Sequence, residues 1–263
     1  MKCSTVLRNG GRKMKIVRFQ HEGNSTFGEL QGESIRIING DVFGKYKISD
    51  QSIPLESVQL LSPCSITKAV CVGLNYHGHA QEMKQALPEK PLLFLKPSSA
   101  LNHPGGNIEY PAISHNLHYE AELAVVIKKE AKNIKVQDAA EYILGYTCAN
   151  DVTARDIQFG DGQWTRGKSF DTFLPLGPCI ETAIDADNIN IKLYLNDQLK
   201  QSSNTNDLIF KVPELVAFIT QVMTLYPGDV ILTGTPSGVG AMEVGDVVTV
   251  ELEGIGRLTN RVV

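Results

Sequence analysis

Apolar residues along this chain come mostly in short runs, alternating or continuous, and seldom at the three-and-four spacing of an amphipathic helix. Between residues 14 and 60 the runs "KIVRF", "TFGEL" and "SIRII" are separated by Gly, Asn and Asp turns, which predicts short strands. "LLSPCSITKAVCVGLN" then passes from a loop into an apolar strand ending at Gly73. Further strands are predicted at "PLLFLK", "AELAVVI", "ILGYTCAN", "LGPCIE", "IKLYLN", "DVILTG" and "VVTVELEGIGRLTNRVV". Helical segments are fewer: "YHGHAQEMKQA", "VQDAAEYI" and "VPELVAFITQVM", the last with proline in its first turn and a clean apolar stripe. Strands do not alternate with helices as they would in a Rossmann or barrel fold. The pattern predicts a β-dominated α+β fold, a sandwich or rolled sheet. Its organisation reads as an N-terminal extension at 1–13, a small β-rich domain at 14–61 and a main domain at 62–263.

A chain of 263 residues supports one large domain with a small appendage. Its 42% hydrophobic and 21% charged residues are ordinary for a globular protein. The net charge of −4 gives no pull toward nucleic acid or anionic lipid. No apolar run approaches the roughly 18 residues of a membrane span, and the basic N-terminus lacks the apolar stretch of a signal peptide. The five cysteines (Cys3, Cys64, Cys71, Cys148 and Cys179) are odd in number, widely spaced and without a CxxC pair. Reduced thiols in a cytoplasmic protein fit this pattern.

The chemistry begins at "YEAELAVVI", where Glu120 and Glu122 enter an apolar run. On a strand the two share a face, and buried like charges need a partner. A hard divalent ion is one answer; a solvated strand face is the other. A third carboxylate, Asp151, ends the strand in "GYTCANDVTARDIQ". If a helical turn follows, Asp151, Arg155 and Gln158 line one side of it. Three carboxylates suit Mg²⁺ or Mn²⁺, and no Cys/His cluster has zinc spacing.

In "GLNYHGHAQEM", His79 and Glu82 are neighbours on a helix. The carboxylate would raise the basicity of the imidazole, as a general base for water requires, or the pair is incidental on a surface helix. Lys96 ends an apolar strand, either snorkelling to the surface or binding a substrate carboxylate. Lys168 follows the Gly-rich stretch "FGDGQWTRG", and the loop at 159–169 holds the single tryptophan and reads as a candidate lid. "LTGTPSGVG" is not a Walker A loop. It reads as a strand-ending turn whose N–H groups bind a carboxylate, or as mere turn glycines.

In this order, "GLNYHGHAQE", "FLKPSSAL", "HYEAELAVVI", "GYTCANDVTARDIQ", "GKSFDTFLPLGP" and "LTGTPSGVG" closely resemble the fumarylacetoacetate hydrolase family, over roughly residues 68 to 253 and in its small acylpyruvase-like branch. The resemblance implies a mixed β-sandwich or rolled sheet, commonly a homodimer, with Mg²⁺ (or Mn²⁺ or Ca²⁺) in the site. It places metal ligands at Glu120, Glu122 and Asp151, and catalytic groups at His79, Glu82 and Lys168. Substrate contacts fall on Arg155, Gln158, Gly234 and Thr235, and on Lys96 in a family-typical motif. The fourth acidic ligand of the longer enzymes has no counterpart in "AVCVGLN". The implied activity is Mg²⁺-dependent hydrolysis of a C–C bond in an acylpyruvate-type 2,4-dioxo acid (fumarylpyruvate or acetylpyruvate class). The alternatives are an oxaloacetate decarboxylase or tautomerase and a 2-hydroxyhepta-2,4-diene-1,7-dioate isomerase or decarboxylase.

Overall fold

The run Ala121–Ile127 buries all seven of its residues, as a strand covered on both faces must. Alternation divides it cleanly. Leu123, Val125 and Ile127 join one hydrophobic cluster, while Ala124 and Val126 join a second on the opposite face. Glu120 and Glu122 fall in the register of Ala124 and Val126, so both point toward that second side. The expected shared face is therefore present.

The computed structural model describes residues 13–263. The expected extension at 1–13, apart from Lys13, lies outside the described residues, as does Cys3. The chain forms a 12-stranded sheet, a five-stranded sheet and a three-stranded sheet, and it is 45% strand and 18% helix. It is a β-dominated α+β fold. In the large sheet Ala121–Ile127 lies between Ile143–Asn150 and Val230–Leu232, antiparallel to both. Val230–Leu232 pairs in parallel with Lys68–Gly73, whose other neighbour is the edge strand Leu92–Pro97. Toward the opposite edge, Leu174–Glu181 joins Ile143–Asn150 to Lys15–His21. The hairpin strands Asn24–Gln31, Ser34–Gly40 and Tyr46–Pro54 complete that side. One sheet thus runs through the N-terminal strands and the rest of the chain.

The first cluster packs Leu123 and Val125 against Ile191, Leu193, Val248 and Val250 of the five-stranded sheet and Leu215 and Ile219 of a helix. That helix (α4, Val212–Val222) matches the expected one, and the Glu214 carboxylate caps it by accepting from Lys211 N at 2.8 Å. The other helical expectations need correction. The segment expected over residues 76–86 is a helix of six residues (α1, His77–Glu82), and Lys84 at φ +52° turns the chain away soon after. Val136–Tyr142 winds as a 3₁₀ helix. Residues 159–169, expected as a loop, carry α2 (Arg155–Asp161), which stops at Gly162 with φ +67°, and α3 (Thr165–Lys168). Among the described residues no helix is long and apolar enough to cross a membrane.

Candidate active site

Two neighbouring strands bring the acidic residues together. Glu120 immediately precedes Ala121–Ile127, Glu122 lies within it, and Asp151 follows the neighbouring strand Ile143–Asn150. An oxygen from each lies within 4.8 Å of the others, and all three residues are buried. Backbone bonds lock the junction: Asp151 N donates to Glu120 O at 2.9 Å, and Glu120 N donates to Asn150 Oδ1 at 3.0 Å. Asp151 does not lie on the helix that carries Arg155 and Gln158. A short strand, Thr153–Ala154, intervenes, and α2 begins at Arg155.

Protein cations neutralise two of the three acids. Lys168 Nζ donates to Glu120 Oε2 at 2.9 Å and to Asp151 Oδ2 at 2.6 Å. Arg155 pairs with the other Glu120 oxygen and donates to Gln158 Oε1 at 2.7 Å. Burial alone would push the Glu120 carboxyl up, but the charges of Lys168 and Arg155 outweigh it and hold the group well below the usual carboxylate range. For Lys168 burial pulls down, and Asp151 and Glu120 more than compensate, leaving it above its ordinary value. Glu122 differs. It forms no ion pair among the described residues, and its Oε2 accepts from Gly234 N at 2.6 Å. Burial, reinforced by the negative charges of Asp151 and Glu120, pushes its carboxyl well above the ordinary value.

The expectation that Lys96 snorkels or meets substrate is corrected. It is wholly buried, and its Nζ donates to the carbonyls of Val152 at 2.9 Å, Lys168 at 2.5 Å and Phe173 at 2.9 Å. The same ammonium lies 2.8 Å from Asp151 Oδ1. Its three protons are committed, so Lys96 is a clamp on Asp151 and on the backbone that carries Lys168.

The loop 233–240 joins the acidic cluster to the His–Glu pair. At one end Gly234 N holds Glu122; at the other, Gly238 N donates to Glu82 Oε1 at 3.0 Å. The second Glu82 oxygen lies 2.9 Å from His79 Nδ1, so the expected i, i+3 contact forms within α1, which ends at Glu82. His77 faces elsewhere, with Nδ1 2.8 Å from Asp207 O. Gly234 (φ +102°) packs on Asn75, where a Cβ would come within 2.8 Å. Its N–H, expected to meet substrate, is occupied by Glu122, and Thr235 Oγ1 accepts from Gln201 Nε2 at 2.9 Å.

Sequence reasoning missed three polar supports. Gln201 is buried on a distant strand and also accepts from Ala121 N at 2.9 Å. Asn150 holds Glu120, as above. Asn75 donates to Thr233 O at 2.8 Å and Phe210 O at 3.1 Å. Two of them stood inside quoted motifs, "GLNY" and "CAND", where an amide flanked by apolar residues was the available signal. Trp164 lies over Gly73, where a Cβ would come within 2.6 Å of the indole, and edge-on to Phe94 with centroids 5.3 Å apart. Trp164 O accepts from Lys168 N at 3.1 Å.

A hard divalent cation fits this donor set. Three buried carboxylates converge, all the candidate donors are oxygen, and Glu122 forms no ion pair among the described residues.

Two family models match the chain: "Fumarylacetoacetate (FAA) hydrolase C-terminal" over residues 68–263 and "Rv2993c-like, N-terminal" over residues 14–63. An uncharacterized protein of Methanocaldococcus jannaschii is 52% identical over 235 residues, covering 89% of this chain and 96% of that one. The mitochondrial oxaloacetate tautomerase Fahd2a of Rattus norvegicus is 44% identical over 223 residues, covering 80% of this chain and 71% of its own. The crystal structure of 2-hydroxyhepta-2,4-diene-1,7-dioate isomerase from Mycobacterium marinum superposes with a TM-score of 0.89 at 42% identity, over 95% of this chain and 98% of that one.

Proposed function

The chain belongs to the fumarylacetoacetate hydrolase family, and from that premise we propose that it is a divalent-cation-dependent enzyme that transfers a proton on a 2-oxo diacid of the oxaloacetate class. One observation carries the reading: a buried cluster of three carboxylates connected through a single loop to a His–Glu pair. Glu120, Glu122 and Asp151 would hold the cation, with Mg²⁺ favoured and Mn²⁺ or Ca²⁺ able to replace it. A bound ion would supply Lewis acidity that acidifies the C–H beside a 2-oxo group. His79 takes that proton on its ring and returns it at the far end of the conjugated system. Glu82, fixed by Gly238, orients the imidazole. Lys168 supplies positive charge beside Glu120 and Asp151 where oxygen gains electron density. Arg155 and Gln158, bonded to each other, present a guanidinium and an amide to the distal carboxylate of the diacid.

The tautomerase and isomerase names of the rat and M. marinum relatives support proton transfer. Hydrolytic C–C cleavage of an acylpyruvate-type 2,4-dioxo acid is the second reading, favoured by the His79 side chain being 12% exposed and so within reach of water. A homodimer and a division of the chain near residue 62 belong to the same proposal. Turnover of oxaloacetate and of an acylpyruvate in D₂O and in H₂¹⁸O separates the chemistries. Proton transfer places deuterium on carbon of an uncleaved chain and no ¹⁸O in its carboxylates; hydrolysis cleaves the chain and places ¹⁸O in a new carboxylate. Failure of both substrates with Mg²⁺ present refutes the assignment.

A further inference from the structure

The stretch from Phe159 to Arg166 joins Gln158 to the segment that carries Lys168, yet every residue in it except Trp164 is exposed. Phe159, its other large ring, is 66% exposed. The Asp161–Arg166 ion pair closes the stretch on itself, because both partners lie within it. A cleft of about 370 Å³ opens along it, lined by Asp161, Gln163, Thr165 and Arg166 together with Ser169 and Phe170. A segment with so little buried surface opens locally at low cost unless something fixes it, and Trp164 is the side chain placed to do so.

The large sheet supplies its seat. Gly73 ends the strand Lys68–Gly73, and a Cβ there would lie 2.6 and 2.8 Å from two indole carbons. The missing side chain lets the ring lie directly on the backbone. Phe94, on the neighbouring edge strand, stands edge-on to the indole with centroids 5.3 Å apart, an arrangement that stabilises beyond the area it buries.

From that seat Trp164 reaches Lys168 by two routes. Along the backbone it is the N-cap of the four-residue α3, which ends on Lys168, and its carbonyl accepts from Lys168 N at 3.1 Å. Through the rings, the Lys168 ammonium lies 5.0 Å from the centroid of Phe94, the ring that Trp164 abuts. The same ammonium bridges Glu120 and Asp151.

Resting on the role proposed above for Lys168, we propose that Trp164 is a positioning residue. Seated on Gly73, it pins the exposed stretch 159–166 to the sheet and so fixes both the backbone and the ammonium of Lys168 against Glu120 and Asp151. The stretch is a strap with one fastening.

The two buried lysines provide the test. Wild type, Trp164→Ala, Trp164→Phe, Gly73→Ala and the Gly73→Ala/Trp164→Ala double variant are labelled with acetic anhydride without added metal, and peptide mass mapping reads the rates at Lys168 and Lys96. Lys96 sits within the sheet and reports general loosening. The expected result is that Lys168 labels at least about tenfold faster in Trp164→Ala and in Gly73→Ala while Lys96 keeps its wild-type rate. Trp164→Phe should restore most of the protection, and the double variant should label no faster than Trp164→Ala alone. An unchanged Lys168 rate in Trp164→Ala overturns the assignment. Equal acceleration at Lys96 and Lys168 overturns it by revealing a general structural role, and further acceleration in the double variant removes Gly73 as the seat. With oxaloacetate and Mg²⁺, Trp164→Ala should lower turnover by about tenfold and Trp164→Phe should recover it; full turnover in Trp164→Ala despite faster labelling overturns the link to chemistry. Wild-type protein that turns over neither oxaloacetate nor an acylpyruvate refutes the proposed function, while the labelling rates still decide whether Trp164 fixes Lys168.

Discussion

Asp229 and Glu122 are both buried acids at the ends of adjacent strands, one beside Ile127 and the other beside Gly234, and they are treated in opposite ways. Asp229 accepts from Thr67 N at 2.9 Å, Thr67 Oγ1 at 2.7 Å, Lys68 N at 3.1 Å, Lys68 Nζ at 2.6 Å and Tyr226 N at 2.9 Å. Among the described residues Glu122 accepts one hydrogen bond, from Gly234 N. Burial alone would push the Asp229 carboxyl up, but the hydrogen bonds from Lys68, Tyr226 and Thr67 outweigh it and hold the group below the usual range. Glu122 is pushed the other way. Burial does not separate a carboxylate that holds the fold from one kept open for a ligand; the number of donors aimed at it does.

Four perturbations probe that contrast, in falling order of expected effect. Glu122→Ala should abolish Mg²⁺ binding while leaving the unfolding midpoint of the ion-free protein near wild type; calorimetric titration with intact Mg²⁺ affinity would remove Glu122 from the ligand set. Asp229→Ala should do the reverse. It strands Lys68 and four further donors, so denaturant unfolding should show a loss of about 3–5 kcal/mol with Mg²⁺ affinity retained. His79→Ala should lower turnover by roughly 10²–10⁴ with both stability and ion binding intact, and equal rates would exclude it from the chemistry. The smallest effect is in acid. Because the folded Asp229 value lies below the unfolded one, its stabilisation is complete above about pH 4 and is lost as pH falls through the folded value. Asp229→Asn should flatten that part of the stability–pH curve, and an unchanged acid limb would deny Asp229 its share.

Much of this site was legible because charge interrupts hydrophobicity. Glu120 and Glu122 stand out in "YEAELAVVI", and Asp151 ends an apolar strand, so the three could be grouped before any contact was known. His79 and Glu82 needed only one helical turn, and the structure provides little more. Lys96 was misread because its partners Val152, Lys168 and Phe173 lie 56, 72 and 77 residues away, and no local pattern records that convergence. The strand Gln198–Asn204 escaped because its sequence "QLKQSSN" is polar. It forms through the turn at Asn196 and Asp197, with φ +49° and +63°, that folds it back on Asn190–Leu195, a hairpin turn geometry. With the strand went Gln201, whose role depends on facing Ala121 across the fold. The helical residues within 159–168 were hidden by glycines, which loosen helical propensity although here Gly162 serves as the stop.

Trp164 is the chain's single tryptophan, wedged on Gly73 and Phe94 and four residues from the ammonium that bridges Glu120 and Asp151. Light absorbed selectively by indole therefore samples one small neighbourhood, and the emitted colour and intensity report its polarity. An ion or small acid that shifts Lys168 would register as a spectral change in unmodified protein, with no label attached. Loading of the cluster could then be followed continuously in a cuvette, and a Gly73 side chain that unseats the ring would give the displaced spectrum for calibration.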